Sequence, residues 1–333
     1  MNRIWVLLSV LALFITMNCS AATRGIDLEP VEPVQSASLE KGTYRAILIG
    51  NNDYRDPEKR WPPLQTAVSD ANTLAKLLKS EYGFTDVVVM NNATRKEILV
   101  TLSSLIQRVE AHDSVLIFYA GHGYLDSHTE RGFWIPVDAV GEDHTTFLRN
   151  STIRDELIAI ADRARHTLLI SDSCFSGTLL RSSTRSIINE GNMERYYNKV
   201  SRKKSVQIMT AGGVEYVDDN YKDSGHSPFS YFLLSELKHN NKPIVTASEL
   251  SFNVEKAVAN NVDQVPASGV LQGAGDELGE FIFLKIKVDV KGVPKENVNV
   301  EVEVQSTQED ASQQGEPAKR PSHSPRVLPL PTL

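Results

Sequence analysis

Two short stretches of this chain carry residue types able to attack a carbonyl: "YAGHG", with His122, and "LLISDSCFSG", with Cys174. Each follows a run of strand-forming residues and each is flanked by glycine, at Gly121, Gly123 and Gly177. Glycine permits tight turns that expose a side chain and leave backbone N–H groups pointing at a substrate. A cysteine attacks as thiolate, and an imidazole assists its deprotonation or protonates the leaving amine. The developing oxyanion needs fixed donors, for which the backbone N–H groups of Gly123 and Cys174 are the candidates. Taken singly, Cys174 fits a buried structural role, because free Cys is among the most buried residue types, and His122 fits a satisfied histidine at a strand end. Together, at two glycine-flanked strand termini, they point to nucleophilic catalysis. No second Cys or closely spaced His completes a ligand set, so no metal or cofactor is expected.

The elements that must position this pair are legible as alternating patterns. Tyr44 to Gly50 is a short apolar strand, and the segment from Asp70 to Ser80 repeats Ala71, Leu74, Ala75, Leu77 and Leu78 at helical spacing. "DVVVM" at 86–90 is a second strand, and Thr94 with Glu97 forms a capping box ahead of Ile98, Leu102, Leu105, Ile106 and Val109. "SVLIFYAGHG" is a third strand, and "GFWIPVD" a hairpin-like stretch. Thr152 and Asp155 then open a helix before "HTLLISDSC" and "SVQIMTAGG", the fourth and fifth strands. Helices at Pro228 to Lys238 and Ala247 to Ala259 and a strand near "EFIFLKI" complete the series. Strands that are apolar throughout and separated by amphipathic helices imply a largely parallel sheet covered on both faces, an α/β fold of the three-layer α/β/α sandwich kind. In such sheets ligands bind outside the carboxyl ends of the strands, where His122 and Cys174 fall.

With 333 residues, 41% of them hydrophobic and 23% charged, the composition is that of an ordinary globular protein. A formal net charge of -7 argues against general affinity for nucleic acid. The first residues have one early charge, Arg3, an apolar run from Ile4 to Ile15, and small residues at Ser20 and Ala22. That layout predicts a signal peptide over 1–22 and a periplasmic or secreted protein, since the run is short for a stable membrane span. Of the two cysteines, Cys19 leaves with the signal, so Cys174 persists as a lone thiol. Residues 23–42 read as a linker and 43–286 as the folded domain. The extension 287–333, with a hairpin-like start and a polar, Pro-rich end, reads as mostly disordered.

The chain resembles the caspase and metacaspase superfamily of cysteine peptidases. The resemblance runs from about Tyr44 to Lys285 through "RAILIGNNDY", "LQTAVSDANTLAKLL", "VLIFYAGHG", "LLISDSCFSG", "IMTAGG" and "SPFSYFLLSEL", in family order. It implies the caspase-type fold, His122 and Cys174 as catalytic dyad, and hydrolysis of peptide bonds. Caspases proper cut after aspartate and use arginines; here "SDSC" supplies Asp172 two residues before the cysteine, as in metacaspases. Asp172 and Asp70 match the positions that form the metacaspase acidic pocket for Arg or Lys, where two carboxylates opposite a guanidinium give charge-assisted recognition. Asp70 alternatively caps the helix it begins. The expected partners are therefore peptides or proteins with Arg or Lys before the scissile bond.

Some positions depart from the pattern. Ala120 stands before "GHG" where some metacaspases have Ser, while Arg154 and Arg181 occupy sites where the calcium-dependent members place acids. A cation in place of a hard oxygen ligand disfavours a divalent ion. The segment "RSSTRSIINEGNMERYYNKVSRKK", residues 181–204, carries seven basic residues against two acidic ones. It is either a solvated surface or a tethered substrate, with self-cleavage expected after Arg195, Arg202, Lys203 or Lys204. A caspase-like scaffold protein with little turnover is the alternative to an endopeptidase.

Overall fold

The computed structural model describes residues 42–173, 193–212 and 219–286. The expected signal peptide, the linker up to residue 41, Cys174, Arg181 and the extension from 287 lie outside the described residues. The central sheet has six strands. These are β1 (Tyr44–Gly50), β2 (Asp86–Asn91), β3 (Ser114–Ala120), β7 (His166–Asp172), β8 (Ser205–Thr210) and β10 (Ala267–Val270), in the order β10-β8-β7-β3-β1-β2. The first five pair in parallel and β10 adds an antiparallel edge. Successive strand residues face opposite sides, which divides the core in two. Ala46, Leu48, Leu116, Phe118, Leu168 and Ile170 meet one set of helices: α1 (Ala67–Glu81), α5 (Pro228–His239) and α6 (Ala247–Ala259). Ile47, Ile49, Val115, Ile117 and Leu169 meet α2 (Arg95–Arg108) and α3 (Asn150–Ala161). The result is the expected α/β/α sandwich with a largely parallel sheet.

The capping signal read at Thr94 holds, and α6 carries one that the sequence reading did not use. Thr94 and Glu97 form a full capping box on α2, and Thr246 with Glu249 does the same for α6. Helix α1 begins at Ala67 with Thr66 as N-cap, so Asp70 lies inside the first turn and the capping alternative for it is overturned. Between β3 and α3 the chain makes a three-stranded antiparallel sheet of β4 (Gly123–Asp126), β5 (Arg131–Trp134) and β6 (Leu148–Arg149).

Three details differ from the sequence reading. Helix α3 starts at Asn150, ahead of Thr152. The strand read near "EFIFLKI" is β11 (Ile282–Leu284), which pairs with β9 (Ile244–Thr246) instead of joining the central sheet. Within the basic segment, Met193–Val200 is a helix, α4, because Tyr197 and Val200 fall on one face and are buried. Among the described residues no helix is long and apolar enough to cross a membrane.

Candidate active site

Strands β3 and β7 are neighbours in register, Ala120 opposite Asp172. His122 and Cys174 each lie two residues beyond this pair in sequence, past the carboxyl ends of adjacent parallel strands. Cys174 itself lies outside the described residues. His122 is half-buried between the rings of Tyr54 and Trp61, with centroid separations of 4.6 and 5.9 Å. Its Nε2 lies 2.7 Å from the Pro62 carbonyl oxygen. A carbonyl only accepts, so the proton sits on Nε2 and the neutral ring offers Nδ1 as the base. Burial pulls the imidazole below its ordinary value, opposed by the Pro62 carbonyl and the charge of Asp219.

Gly123 opens β4 opposite Trp134. The Ile135 amide donates to the His122 carbonyl at 3.0 Å across this pair, which marks it as the non-hydrogen-bonded kind. The ladder therefore does not take up the Gly123 N–H, the donor expected to face an oxyanion.

Strand alternation puts Asp172 on the same face as Leu168 and Ile170, toward α1 and α5. There it meets the start of α5. Ser227, the N-cap, accepts from the Ser230 amide at 3.0 Å, and both serine hydroxyls donate to Asp172 Oδ2. Oδ1 of Asp172 is buried with no hydrogen-bond partner among the described residues. Burial, then the neighbouring charge of Asp70, push the Asp172 carboxyl up to about 7 against the pull of the two serines.

Asp70 is buried one turn before Leu74 on the inward stripe of α1. Its Oδ1 is 2.6 Å from His226 Nδ1, and its Oδ2 accepts the Ser227 amide at 3.4 Å. Ser227 thus ties Asp70 to Asp172 through its amide and its hydroxyl. Burial raises the Asp70 carboxyl, and His226 opposes that rise.

Sequence reasoning missed Pro62, His226, Ser227, Ser230 and Asp219. Asp219 accepts the Gln65 and Thr66 amides at 2.6 and 3.2 Å, holding the start of α1 from a remote segment. Only Ser227 had a local signal: serine followed by proline is a helix start.

The four expected cleavage positions are not together in one open loop. Arg195 is exposed on α4, and Arg202 is exposed in the turn that follows. The Lys204 carbonyl accepts from the Glu277 and Gly279 amides at 2.9 and 3.1 Å, and a Cβ on Gly279 would lie 2.0 Å from the Lys203 carbonyl oxygen. Arg154 donates to the Gln272 carbonyl at 2.6 Å. No group of three or more His, Cys, Asp or Glu among the described residues is placed to hold a metal. A cavity of about 350 Å³ opens at the opposite end of the sheet, lined by Tyr44, Tyr82, His166 and Arg202 among others, away from His122.

A family model for the peptidase C14 caspase domain matches residues 43–270. The chain belongs to this family. Similar proteins include Metacaspase-1 of Eremothecium gossypii, 27% identical over 191 residues, covering 51% of this chain and 40% of that protein. Metacaspase-1B of Aspergillus fumigatus is 27% identical over 179 residues, covering 46% and 41%. Metacaspase-1 of Saccharomyces cerevisiae is 24% identical over 170 residues, covering 46% and 38%. The caspase-domain chain thus spans about two fifths of the length of these relatives. A crystal structure of a Geobacter sulfurreducens protein aligns with a TM-score of 0.49 at 17% identity, over 72% of this chain and 100% of that one.

Proposed function

We propose that the protein is an exported cysteine endopeptidase that hydrolyses peptide bonds after Arg or Lys, with Cys174 as nucleophile and His122 as its acid–base partner. The observation that supports this reading is the β3–β7 register, which sets Ala120 opposite Asp172, each two residues before His122 or Cys174 in the sequence. His122 Nδ1 accepts the thiol proton, and the thiolate sulfur attacks the scissile carbonyl. Negative charge gathers on the carbonyl oxygen, toward the N–H groups of Gly123 and Cys174. As the C–N bond breaks, the imidazolium returns its proton to the leaving amine, and water then releases the acyl group by the reverse sequence. A neutral imidazole at rest suits this role, in keeping with the direction in which burial moves His122.

Basic specificity is supported by the acids at the start of α5. An arginine or lysine entering there meets a buried Asp172 oxygen without a described hydrogen-bond partner, and Asp70 behind it. Self-cleavage after Arg195, Arg202, Lys203 or Lys204 belongs to the same reading. A peptidase takes its substrate extended, so cutting at Arg195 requires α4 to open, and cutting at Lys203 or Lys204 requires release from Glu277 and Gly279. The fragments would stay joined because β7 and β8 pair along their length.

Fluorogenic peptides ending in Arg or Lys, given to wild type, Cys174→Ala and His122→Ala, test the assignment. Hydrolysis by the wild type alone is expected, and substantial activity in purified Cys174→Ala would refute it. Denaturing electrophoresis of wild type beside Cys174→Ala, with mass spectrometry of new termini, tests self-cleavage.

A further inference from the structure

Two tyrosine hydroxyls hold the backbone of His122, one at its amide and one at its carbonyl. The His122 amide donates to Tyr54 Oη at 2.7 Å, and Tyr119 Oη donates to the His122 carbonyl at 2.8 Å. The ring of Tyr54 also lies against the imidazole. Tyr119 belongs to the core: it is fully buried and stacked on Trp134 at 4.1 Å. Tyr54 belongs to a loop, and that loop is itself held. Asn92 Oδ1 accepts the amides of Asn52 and Asp53 at 2.8 and 3.0 Å, and the Arg55 amide donates to the Val137 carbonyl at 2.8 Å. Gly121 is fitted to the same arrangement, because a Cβ there would lie 2.8 Å from both tyrosine hydroxyls.

We propose that Tyr54 is a positioning residue for His122, its hydroxyl fixing where the imidazole stands and its ring covering the imidazole from water. The role rests on the acid–base function proposed for His122. Tyr54 acts only through the histidine. The hydroxyl places the backbone, Pro62 fixes the tautomer, and the Tyr54 and Trp61 rings limit hydration; Asp219 is the charge that acts on the ring. A displacement of an angstrom at a general base costs rate and not binding, so the signature is a fall in kcat with KM held.

Three variants separate the hydroxyl from the ring. Tyr54→Phe keeps the ring, so kcat on an Arg-ending peptide should fall about tenfold, the cost of one hydrogen bond, with KM and the His122 titration unchanged. Tyr54→Ala should lower kcat further and move the His122 C2–H midpoint in NMR upward, because burial no longer opposes the imidazolium. Gly121→Ala should reproduce the Tyr54→Phe loss while both tyrosines remain. Wild-type kcat in Tyr54→Phe, an unmoved His122 midpoint in Tyr54→Ala, or a kcat loss that disappears below the variant's melting transition would overturn the proposal. The NMR titration needs no turnover. A wild type that hydrolyses no peptide therefore defeats the peptidase reading, while the midpoint in Tyr54→Ala still decides whether the Tyr54 ring covers the imidazole.

Discussion

Both ends of the central sheet hold buried aspartates, and the two ends treat them oppositely. At the amino ends of the strands, Asp113 accepts the Thr43 and Glu110 amides at 2.8 and 2.9 Å and pairs with Arg45 Nε at 2.7 Å. Arg45 also reaches Asp86, which binds Arg108 in turn. At the carboxyl ends, Asp172 receives two hydroxyls and Asp70 receives His226 and one amide; among the described residues neither forms an ion pair with Lys or Arg. A buried acid with its cation in place holds structure together, while a buried acid without one retains affinity for a cation from outside. Under the proposed function the first end serves stability and the second serves recognition.

Breaking the compensated end should give the largest effect. Asp113→Ala leaves the Arg45 guanidinium short of a partner and two amides unsatisfied, for an expected loss of about 3–5 kcal/mol in denaturant unfolding. Asp172→Asn should do the reverse: stability at neutral pH held or raised, and kcat/KM on Arg-ending peptides lowered about a hundredfold, within the range for removing one partner of a buried charge pair. Asp70→Asn should cost less, on the order of tenfold, because His226 already offsets part of the Asp70 charge. Stability against pH gives the most specific signal. Asp172 titrates near 7 in the fold, well above an unfolded aspartate at about 4, so the folded state holds the extra proton between these values. Its contribution is therefore full below about pH 4 and is lost as pH rises toward 7. Asp172→Asn should flatten that part of the profile, and an unchanged slope would show that another group titrates there.

Much of the frame was readable before the structure. Leu48, Phe118 and Ile170 sit in strands apolar on both faces, and that pattern has few folded solutions. Thr94 and Glu97 marked a helix start because capping is local. Strand β10 was missed because "ASGV" is short and half-buried, and its antiparallel pairing with β8 comes from nothing nearby in sequence. In the candidate site, His122, Asp70 and Asp172 were legible as residue types at element ends. Their partners were not. His226 lies 156 residues from Asp70, and Ser227 lies 55 from Asp172, so only the folded sheet and α5 bring them together. Pro62 contributes a carbonyl to His122, a group every residue has, and no side-chain pattern announces it.

The division between the two ends turns on whether charge is what Asp172 recognises. The direct measurement is the ratio of kcat/KM for an Arg-ending peptide to that for the same peptide ending in citrulline, which keeps the shape of arginine and removes its charge. A high ratio in the wild type that collapses in Asp172→Asn is predicted, with the citrulline peptide itself little affected. A ratio near one in the wild type, or one that survives the substitution, would contradict the account.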